Sequence, residues 1–396
     1  MSRNVHPPRA PRSACSQVAD VPAAGRGHPS GEPGCERDAR PAGKVVALIP
    51  AHNEETSIGQ TIRSLRQQTR PLDRIVVVCD NCSDDTADIS MLYGAEVITT
   101  FGNTARKAGA LNQALRRILP GLSSSDLVLA MDADSQLNDD WVRVATAALQ
   151  RRSMVGAACG AFLAEDGGGL VGQLQRNEYI RYARSNQRRR QVPVLSGTGT
   201  LFRVPALREL ARERGHRLPG NHGDIYNSSS ITEDNEITLA LKTLGFRCVC
   251  PSGCETTTEV MPTWRDLFRQ RIRWQKGALG DLRAYGISRV TVGYWSRQAL
   301  IYLAFCASIA CWAIIAWSLA GHPGINVPWT AGVLSVTLAE RIWTVRRGGM
   351  WAIMLCTLVV PEMGYDLFRL AYFFQALFDE LMHRETAWNH VIRADA

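Results

Sequence analysis

The chain lacks both of the glycine-rich loops that most often hold nucleotide phosphates in proteins. No Gly-x-Gly-x-x-Gly follows the first predicted strand, and no Gly-x-x-x-x-Gly-Lys-Ser/Thr occurs in the 396 residues. Dinucleotide-dependent dehydrogenases and P-loop nucleotidases depend on these loops, so neither class fits the sequence. A nucleoside diphosphate bound without them needs basic side chains and a metal ion around its phosphates.

Aromatic side chains are not interleaved with the basic ones, although the formal net charge is +8. Such interleaving is typical of nucleic-acid surfaces, so no nucleic-acid partner is expected. The basic residues crowd at 188–190 and between 265 and 297, ahead of a segment, 298–339, that contains no Asp, Glu, Lys or Arg. Basic residues beside an apolar segment favour the cytoplasmic side of a membrane and its anionic headgroups.

The 11 cysteines form no complete metal-binding motif. Cys79 and Cys82 have CxxC spacing, but no second CxxC and no His-rich segment completes a zinc site, so free, reduced cysteines are expected. Residues 1–43 contain seven prolines and six arginines and lack periodic apolar positions. They predict a disordered tail without the apolar core of a secretory signal.

From Lys44 onward, buried-strand and helical patterns alternate. Four apolar runs predict strands, at 45–50, 74–80, 96–99 and 126–131. The alternation predicts an α/β fold, in which a mixed, largely parallel sheet carries helices on both faces. Ligands of such sheets bind beyond the carboxyl ends of the strands. Polar residues stand at those positions here: Asn53, Glu54, Asp80, Asp132 and Asp134.

Asp132 and Asp134 directly follow the fourth predicted strand. Two carboxylates can ligate Mg²⁺ or Mn²⁺ and leave positions for phosphate oxygens, although an acidic turn produces the same DxD sequence. Their place beside Asp80, at a neighbouring strand end, favours the metal. Asn53 and Glu54 can line the same pocket, but Asn53 can equally cap a loop through an Asx turn.

Thr232-Glu233-Asp234 (TED) precedes apolar residues at helical spacing and predicts a helix N-terminus. Thr232 is suited to the N-cap, and the helix dipole favours the two acids in the first turn. Asp234 can equally act from there as a general base towards an acceptor hydroxyl. The spacing does not separate these interpretations.

The segment Gln270–Trp274 (sequence QRIRW) is the most specific in the chain. Gln270, Arg273 and Trp274 share one helix face at i, i+3 and i+4. Arg273 can bind a diphosphate through two N–H groups, and an indole can stack on a sugar ring. Lys107, at the start of another predicted helix, can join Arg273 at the phosphates or be an ordinary solvated residue.

Apolar helices are predicted after the basic segment, at about 299–320, 325–345 and 349–369. The first two are long enough to span the ~30 Å hydrocarbon core of a bilayer. Arginines follow the second helix, and the turn before it has no Lys or Arg, so the turn should face out and the arginines the cytoplasm. Glu362 and Asp366 leave the third open as a full span or a re-entrant helix, and Arg369 is spaced to pair with Asp366.

DxD, TED and Q-x-x-R-W, in this order on an alternating α/β domain before membrane helices, resemble the family 2 membrane glycosyltransferases. These include cellulose, chitin, hyaluronan and poly-N-acetylglucosamine synthases. The resemblance implies a GT-A-like nucleotide-sugar domain over 44–286, a transmembrane domain over 287–385 and a tail over 386–396. It also implies an inverting, Mg²⁺- or Mn²⁺-dependent enzyme at the plasma membrane with a cytoplasmic catalytic domain. Such an enzyme moves a hexose or N-acetylhexosamine from a UDP-sugar to a hydroxyl of a glycan chain.

The resemblance further implies a role for each motif residue. The donor nucleotide would be held by Asn53, Glu54, Asp80, Lys107 and Asp132. The metal would be held by Asp134 with Asp132. Asp234 would deprotonate the acceptor hydroxyl, and Arg273 would stabilise the departing diphosphate. The acceptor end would be lined by Gly197, Thr198, Gln270 and Trp274.

The sequence departs from the large synthases of this family, which usually carry helices before the catalytic domain. Two or three helices make a thin wall for a polymer channel, so processive export would need a homo-oligomer or an accessory membrane protein. Transfer of a single sugar to a lipid or protein at the membrane face is the alternative. A non-catalytic membrane scaffold is a third hypothesis, but a scaffold should lose the charged motifs, and all are intact.

Overall fold

The computed structural model describes residues 43–189, 191–320, 327–358, 360–382 and 384. All of these residues fall within one compact unit, 42–396. The tails predicted at 1–43 and 386–396 lie outside the described residues, apart from Gly43.

The four predicted strands are present, and they pair in parallel. They are β1 (Val45–Ala51), β2 (Arg74–Cys79), β3 (Glu96–Thr99) and β4 (Leu127–Ala130). β1 lies between β2 and β4, and β3 pairs with the outer side of β2. Their carboxyl ends therefore meet at one edge of the sheet, as the prediction requires.

Three later strands make the sheet mixed: β6 (Val155–Cys159), β8 (Thr200–Arg203) and β9 (Arg247–Val249). β8 is antiparallel to both β4 and β6, so the strand order is β3-β2-β1-β4-β8-β6-β9. Ala130, at the end of β4, pairs with Thr200, at the start of β8. The loop before β8 consequently reaches the same edge as the DxD that follows β4.

A smaller sheet of three strands flanks this edge. Its members are β5 (Ser135–Leu137), β7 (Ala161–Ala164) and β10 (Glu255–Thr258), with β10 in the middle. β5 begins one residue after Asp134, and its antiparallel ladder to β10 holds the chain as it leaves the DxD.

Helices cover both faces of the main sheet. They are α1 (Ile58–Arg66), α2 (Thr86–Leu92), α3 (Arg106–Ile118), α4 (Trp141–Gln150), α5 (Gly169–Gln187), α6 (Val204–Glu213), α7 (Glu233–Thr243) and α8 (Trp264–Tyr285). Alternate residues of β1 enter opposite cores because side chains of a strand alternate in direction. Val46 and Leu48 pack with α3, α6 and α7, whereas Val45 and Ile49 pack with α1 and α4. The predicted α/β architecture is confirmed.

Among the described residues, four helices follow the α/β domain: α9 (Val292–Leu319), α10 (Val327–Val345), α11 (Gly349–Thr357) and α12 (Val360–Leu381). In the described part of the chain, no single helix combines the length and hydropathy of a membrane span, and only α11 and α12 together do, with an 82° bend between them. The segment predicted at 349–369, which the sequence left open as a full span or a re-entrant helix, is thus divided between two helices. Pro361, in the first turn of α12, explains the break because proline cannot continue a preceding helix.

Candidate active site

A cleft of about 350 Å³ opens at the carboxyl ends of β1, β2 and β4. Its walls are the loops after these strands, the loop after β3 and the first turns of α3. The predicted residues in its lining are Glu54, Asp80, Lys107, Asp132 and Asp134. The structure therefore brings most of the predicted donor-side residues together, although they are spread over some eighty positions of the sequence.

The Asp80 carboxylate is oriented by the loop that follows β3. Its Oδ1 accepts a hydrogen bond from the hydroxyl of Thr100 (2.7 Å), and its Oδ2 accepts one from Nδ2 of Asn103 (2.8 Å). Asn103 comes this close because α3 has a glycine at 109, where a Cβ would lie 2.0 Å from Asn103 Oδ1. Asp80 is therefore held in place by the protein alone.

Asn53 lies in the loop after β1, and its side chain bonds to the loop after β2 and does not line the cleft. Its side chain is exposed, and its Oδ1 accepts a hydrogen bond from the backbone amide of Ser83 (2.8 Å). Its backbone is left-handed, with φ of +55°, which Asn tolerates better than most residues. Asn53 thus has the loop-capping role that the sequence left open. Of the two residues, Glu54 lines the cleft.

Lys107 joins the two acidic motifs. Its Nζ lies 2.6 Å from Oδ1 of Asp132, in the DxD, and 2.5 Å from Oε1 of Glu233, in the TED. Burial alone would lower the pKa of Lys107, but the two carboxylates raise it well above its usual value. Lys107 is thus a charged residue of the site. Sequence spacing did not single out Glu233 as its partner.

The acidic residues around the DxD suit a divalent cation. Burial, and then the negative charges of Asp132, Glu54 and Glu259, raise the pKa of Asp134 to about 7. No three His, Cys, Asp or Glu side chains of the described residues are grouped to hold a metal by themselves. Asp132 and Asp134 therefore fit Mg²⁺ or Mn²⁺ as part of a coordination shell, which oxygens of a diphosphate can complete.

The TED lies at the start of α7 and packs against α8. Thr232 occupies the N-cap position, as predicted, but its hydroxyl donates to Oδ2 of Asp281 on α8 (3.1 Å) and makes no capping hydrogen bond. Nδ2 of Asn235 donates to the same oxygen (2.8 Å). A Cβ at Gly277 would lie 2.3 Å from Oγ1 of Thr232, so only glycine allows α8 to approach so closely.

Asp234 has the electrostatics of a general base. Burial, and then the charge of Glu233, raise the pKa of Asp234 to about 6, against the opposing effect of Lys107. Groups that exchange protons near neutral pH are effective general bases. Arg273 of α8 is near the same carboxylates: burial lowers its pKa, while Glu233 and Asp234 act to raise it. The predicted base and the predicted diphosphate ligand are thus close enough for the charge of Asp234 to act on Arg273.

The residues predicted for the acceptor end lie on two separate elements. A Cβ at Gly197 would be 3.2 Å from Nζ of Lys107, which brings the loop before β8 against the cleft. The Thr198 hydroxyl hydrogen-bonds to that of Ser196 (2.7 Å). On α8, Trp274 lies beneath the guanidinium of Arg271, and Oε1 of Gln270 is buried without a hydrogen-bond partner among the described residues.

A protein-family model matches the part of the chain that carries the motifs. Residues 41–277 match the model of glycosyltransferase like family 2, a stretch that begins just before β1 and ends at Gly277. All motifs discussed above fall within it.

Curated relatives align over the same part of the chain. A probable glycosyltransferase of Bacillus subtilis, YdaM, is 28% identical over 248 residues, which are 59% of this chain and 55% of that protein. The poly-beta-1,6-N-acetyl-D-glucosamine synthase of Staphylococcus epidermidis is 23% identical over 240 residues, with 59% and 54% covered. The chain thus spans about half the length of these relatives.

A solved structure resembles nearly the whole chain in fold. The mannosyltransferase PcManGT of Pyrobaculum calidifontis, in complex with GDP-Man and Mn²⁺, superposes with a TM-score of 0.58. The sequences are 19% identical, and 87% of this chain and 88% of that one are covered. From the family match and this likeness, the chain belongs to glycosyltransferase like family 2 and has a GT-A-like α/β fold.

Proposed function

We propose that the chain is a membrane-bound, inverting glycosyltransferase that moves a hexose or N-acetylhexosamine from a UDP-sugar to a hydroxyl of a glycan chain. The observation that carries the proposal is the double ion pair of Lys107 with Asp132 and Glu233. It joins the donor-side and acceptor-side motifs within the reach of one side chain. The poly-beta-1,6-N-acetyl-D-glucosamine synthase among the relatives supports an N-acetylhexosamine donor and a glycan product.

On the donor side, Asp80 and Glu54 bind the nucleoside, and Lys107 and Arg273 bind the diphosphate oxygens. Asp132 and Asp134 hold Mg²⁺ or Mn²⁺, which, when bound, neutralises negative charge on the leaving diphosphate. The two basic side chains supply the same kind of stabilisation from the protein.

On the acceptor side, the sugar ring stacks on Trp274, with Gln270, Gly197 and Thr198 around it. Asp234 accepts the proton of the acceptor hydroxyl while that oxygen attacks the anomeric carbon. The bond to the diphosphate breaks on the opposite face of the sugar, so the anomeric configuration inverts. The proton stays on Asp234 until the product leaves.

Membrane attachment through the C-terminal helices is part of the proposal. Large apolar side chains are exposed along α9 to α12, among them Leu300, Trp317, Val336, Trp351 and Val360. Exposed apolar surface of this extent is typical of membrane or partner contact. Three arginines at the end of α10 and just after it favour a cytoplasmic catalytic domain at the plasma membrane.

Transfer of a single sugar to a lipid or protein acceptor is the second candidate. The described residues after the α/β domain contain four helices, two of them sharply bent against each other. Four helices are few to form the wall of a polymer channel. A processive enzyme would need a second copy or an accessory membrane protein to complete one.

The test is donor turnover followed by product sizing. Protein purified in detergent is incubated with Mg²⁺ or Mn²⁺ and radiolabelled UDP-sugars, with GDP-mannose included as a donor of the other nucleotide class. A product of high molecular weight contradicts single transfer, and consumption of no nucleotide sugar contradicts the enzymatic function.

The matched variants are Asp234→Asn and Asp166→Asn, the second at an exposed position outside the cleft. We expect Asp234→Asn to abolish transfer and to leave UDP binding nearly unchanged, because only the proton acceptor is removed. Asp166→Asn should retain both. Equal loss of binding and transfer in Asp234→Asn would mean that this carboxylate is structural.

A further inference from the structure

A buried cluster at the junction of three helices has no part in the mechanism above. Arg271 of α8 donates from Nη2 to Oε2 of Glu178 on α5 (2.7 Å). The hydroxyl of Tyr365, on α12, donates to the same oxygen (2.7 Å). The three residues, here called the junction cluster, are 3%, 5% and 3% exposed in that order. One carboxylate oxygen thus connects the α/β domain to α12.

The junction cluster is in direct contact with Trp274, which the proposed function places at the acceptor end of the site. The guanidinium carbon of Arg271 lies 4.2 Å from the centroid of the Trp274 ring, three residues later on α8. A guanidinium stacks on the face of an indole and restricts its tilt. The orientation of Trp274 therefore depends on where Glu178 holds Arg271.

A second set of buried ion pairs fixes α12 against α5. Oε2 of Glu362 accepts from Arg181 of α5 (3.0 Å) and from Arg341 of α10 (3.1 Å), and Glu362 is only 2% exposed. Separating a buried ion pair leaves uncompensated charge. Tyr365 lies three residues after Glu362 and is therefore held firmly towards Glu178.

We propose that Arg271 is a positioning residue for the acceptor end of the site and that Glu178 and Tyr365 set its orientation. Acceptor binding is then coupled to the packing of α12, through contacts that lie outside the catalytic groups. The sugar-ring acceptor in this inference rests on the proposed function. The coupling from Tyr365 to Trp274 does not.

Two clusters of the same chemistry provide a matched comparison. In the core of the α/β domain, Tyr285 donates to Oε1 of Glu236 (2.6 Å), which is paired with Arg214 at 0% exposure. Tyr285→Phe and Tyr365→Phe each remove one hydroxyl from a buried Arg–Glu pair. Only the second pair touches Trp274.

The first readout is the reactivity of Trp274 towards N-bromosuccinimide, located by mass spectrometry in the full chain in detergent. We expect Tyr365→Phe and Arg271→Lys to raise the oxidation rate of Trp274 about threefold or more, because losing one hydrogen bond to a charged group frees its partner. Tyr285→Phe should leave that rate unchanged while lowering the melting temperature. Equal Trp274 reactivity in wild type, Tyr365→Phe and Arg271→Lys overturns the proposal, as does an equal rise in Tyr285→Phe.

The second readout is kinetic, with UDP-N-acetylglucosamine as donor and a β-1,6-linked N-acetylglucosamine oligosaccharide as the acceptor probe. Tyr365→Phe should raise the acceptor KM about tenfold and change the donor KM and kcat by less than about twofold, since the lost contact acts on binding. In a Trp274→Phe background the same substitution should have no effect on the acceptor KM. An additive effect in that background overturns the positioning role. If wild type transfers no sugar at all, the proposed function fails, and the Trp274 reactivity still decides the positioning role.

Discussion

The proposed donor side and the proposed acceptor side of the site are stabilised by different forces. On the donor side, the DxD carboxylates are crowded and desolvated, so that the pKa of Asp134 rises to about 7. On the acceptor side, the TED is fixed by close packing against Gly277 and by hydrogen bonds to Asp281. The donor side thus depends on charge that a ligand brings, whereas the acceptor side is built from contacts within the chain. Substitutions on the first side should therefore affect ligand binding and activity, and substitutions on the second should affect folding stability.

Among the variants that test this comparison, the largest effect is expected from Asp134→Asn. Removing this carboxylate should lower kcat/KM by about 10²–10⁴-fold, the range found when one electrostatic group of a transition state is lost. Folding should be unharmed, because a crowded negative charge is removed. Titration calorimetry of UDP with and without Mn²⁺ checks the cause: Mn²⁺ should strengthen UDP binding to wild type and not to the variant. Persisting Mn²⁺ dependence would place the metal elsewhere.

Asp281→Asn tests the acceptor side through pH. Burial raises the pKa of Asp281 to about 7, so the folded state favours the protonated acid. Folding stability from this group is then present below about pH 4 and lost as pH rises towards 7. The amide of Asn keeps an acceptor oxygen for Thr232 and Asn235 and does not titrate.

The stability of Asp281→Asn relative to wild type should therefore increase by about 2–4 kcal/mol between pH 4 and pH 8. Thermal unfolding of both proteins, followed by tryptophan fluorescence across this range, measures the difference. A difference that does not change with pH would show that Asp281 is ionised throughout.

Gly277→Ala and Gly280→Ala compare two positions of one helix. A Cβ at Gly277 meets Thr232 at 2.3 Å, whereas a Cβ at Gly280 has nothing within 4 Å. Overpacking should make Gly277→Ala about 1–3 kcal/mol less stable. Gly280→Ala should gain about 0.5–1 kcal/mol from helix propensity. Chemical denaturation gives both values, and a gain in both variants would contradict the close approach of α8 to the TED.

The smallest effect expected is on the acid limb of the pH profile. With a pKa of about 6, Asp234 is ionised above that pH, and only the ionised form can accept a proton. The value of kcat/KM should fall about twofold at pH 6 and about tenfold at pH 5, relative to a plateau above pH 7. A rate that stays constant from pH 5 to pH 8 would exclude Asp234 as the base.

Local patterns were enough to predict the donor side. The apolar runs of β1, β2 and β4 place Glu54, Asp80 and the DxD at one sheet edge, because parallel strands end together. Asn53 shows the limit of such patterns, since an Asx residue after a strand fits a ligand contact and a loop cap equally well. For the third apolar segment, Glu362 and Asp366 left a full span and a re-entrant helix open, and the position of the break between α11 and α12 could have been predicted from Pro361.

The acceptor side depended on contacts between distant parts of the chain. The antiparallel insertion of β8 between β4 and β6 follows from tertiary pairing that no local period reveals. Lys107 and Glu233 are far apart in the sequence, as are Arg271 and Glu178, and no spacing links either pair. Gly277 did carry a signal, as a glycine inside a helical pattern often marks a close approach.

The double ion pair of Lys107 links donor binding to the basicity of Asp234. Before a donor arrives, the charge of Lys107 is shared by Asp132 and Glu233. A diphosphate that draws Lys107 towards itself leaves the negative charge of Glu233 unscreened beside Asp234, and a neighbouring negative charge makes a carboxylate more basic. Donor arrival would thus strengthen the proposed base, so that proton transfer to Asp234 would be most favourable when the donor is in place.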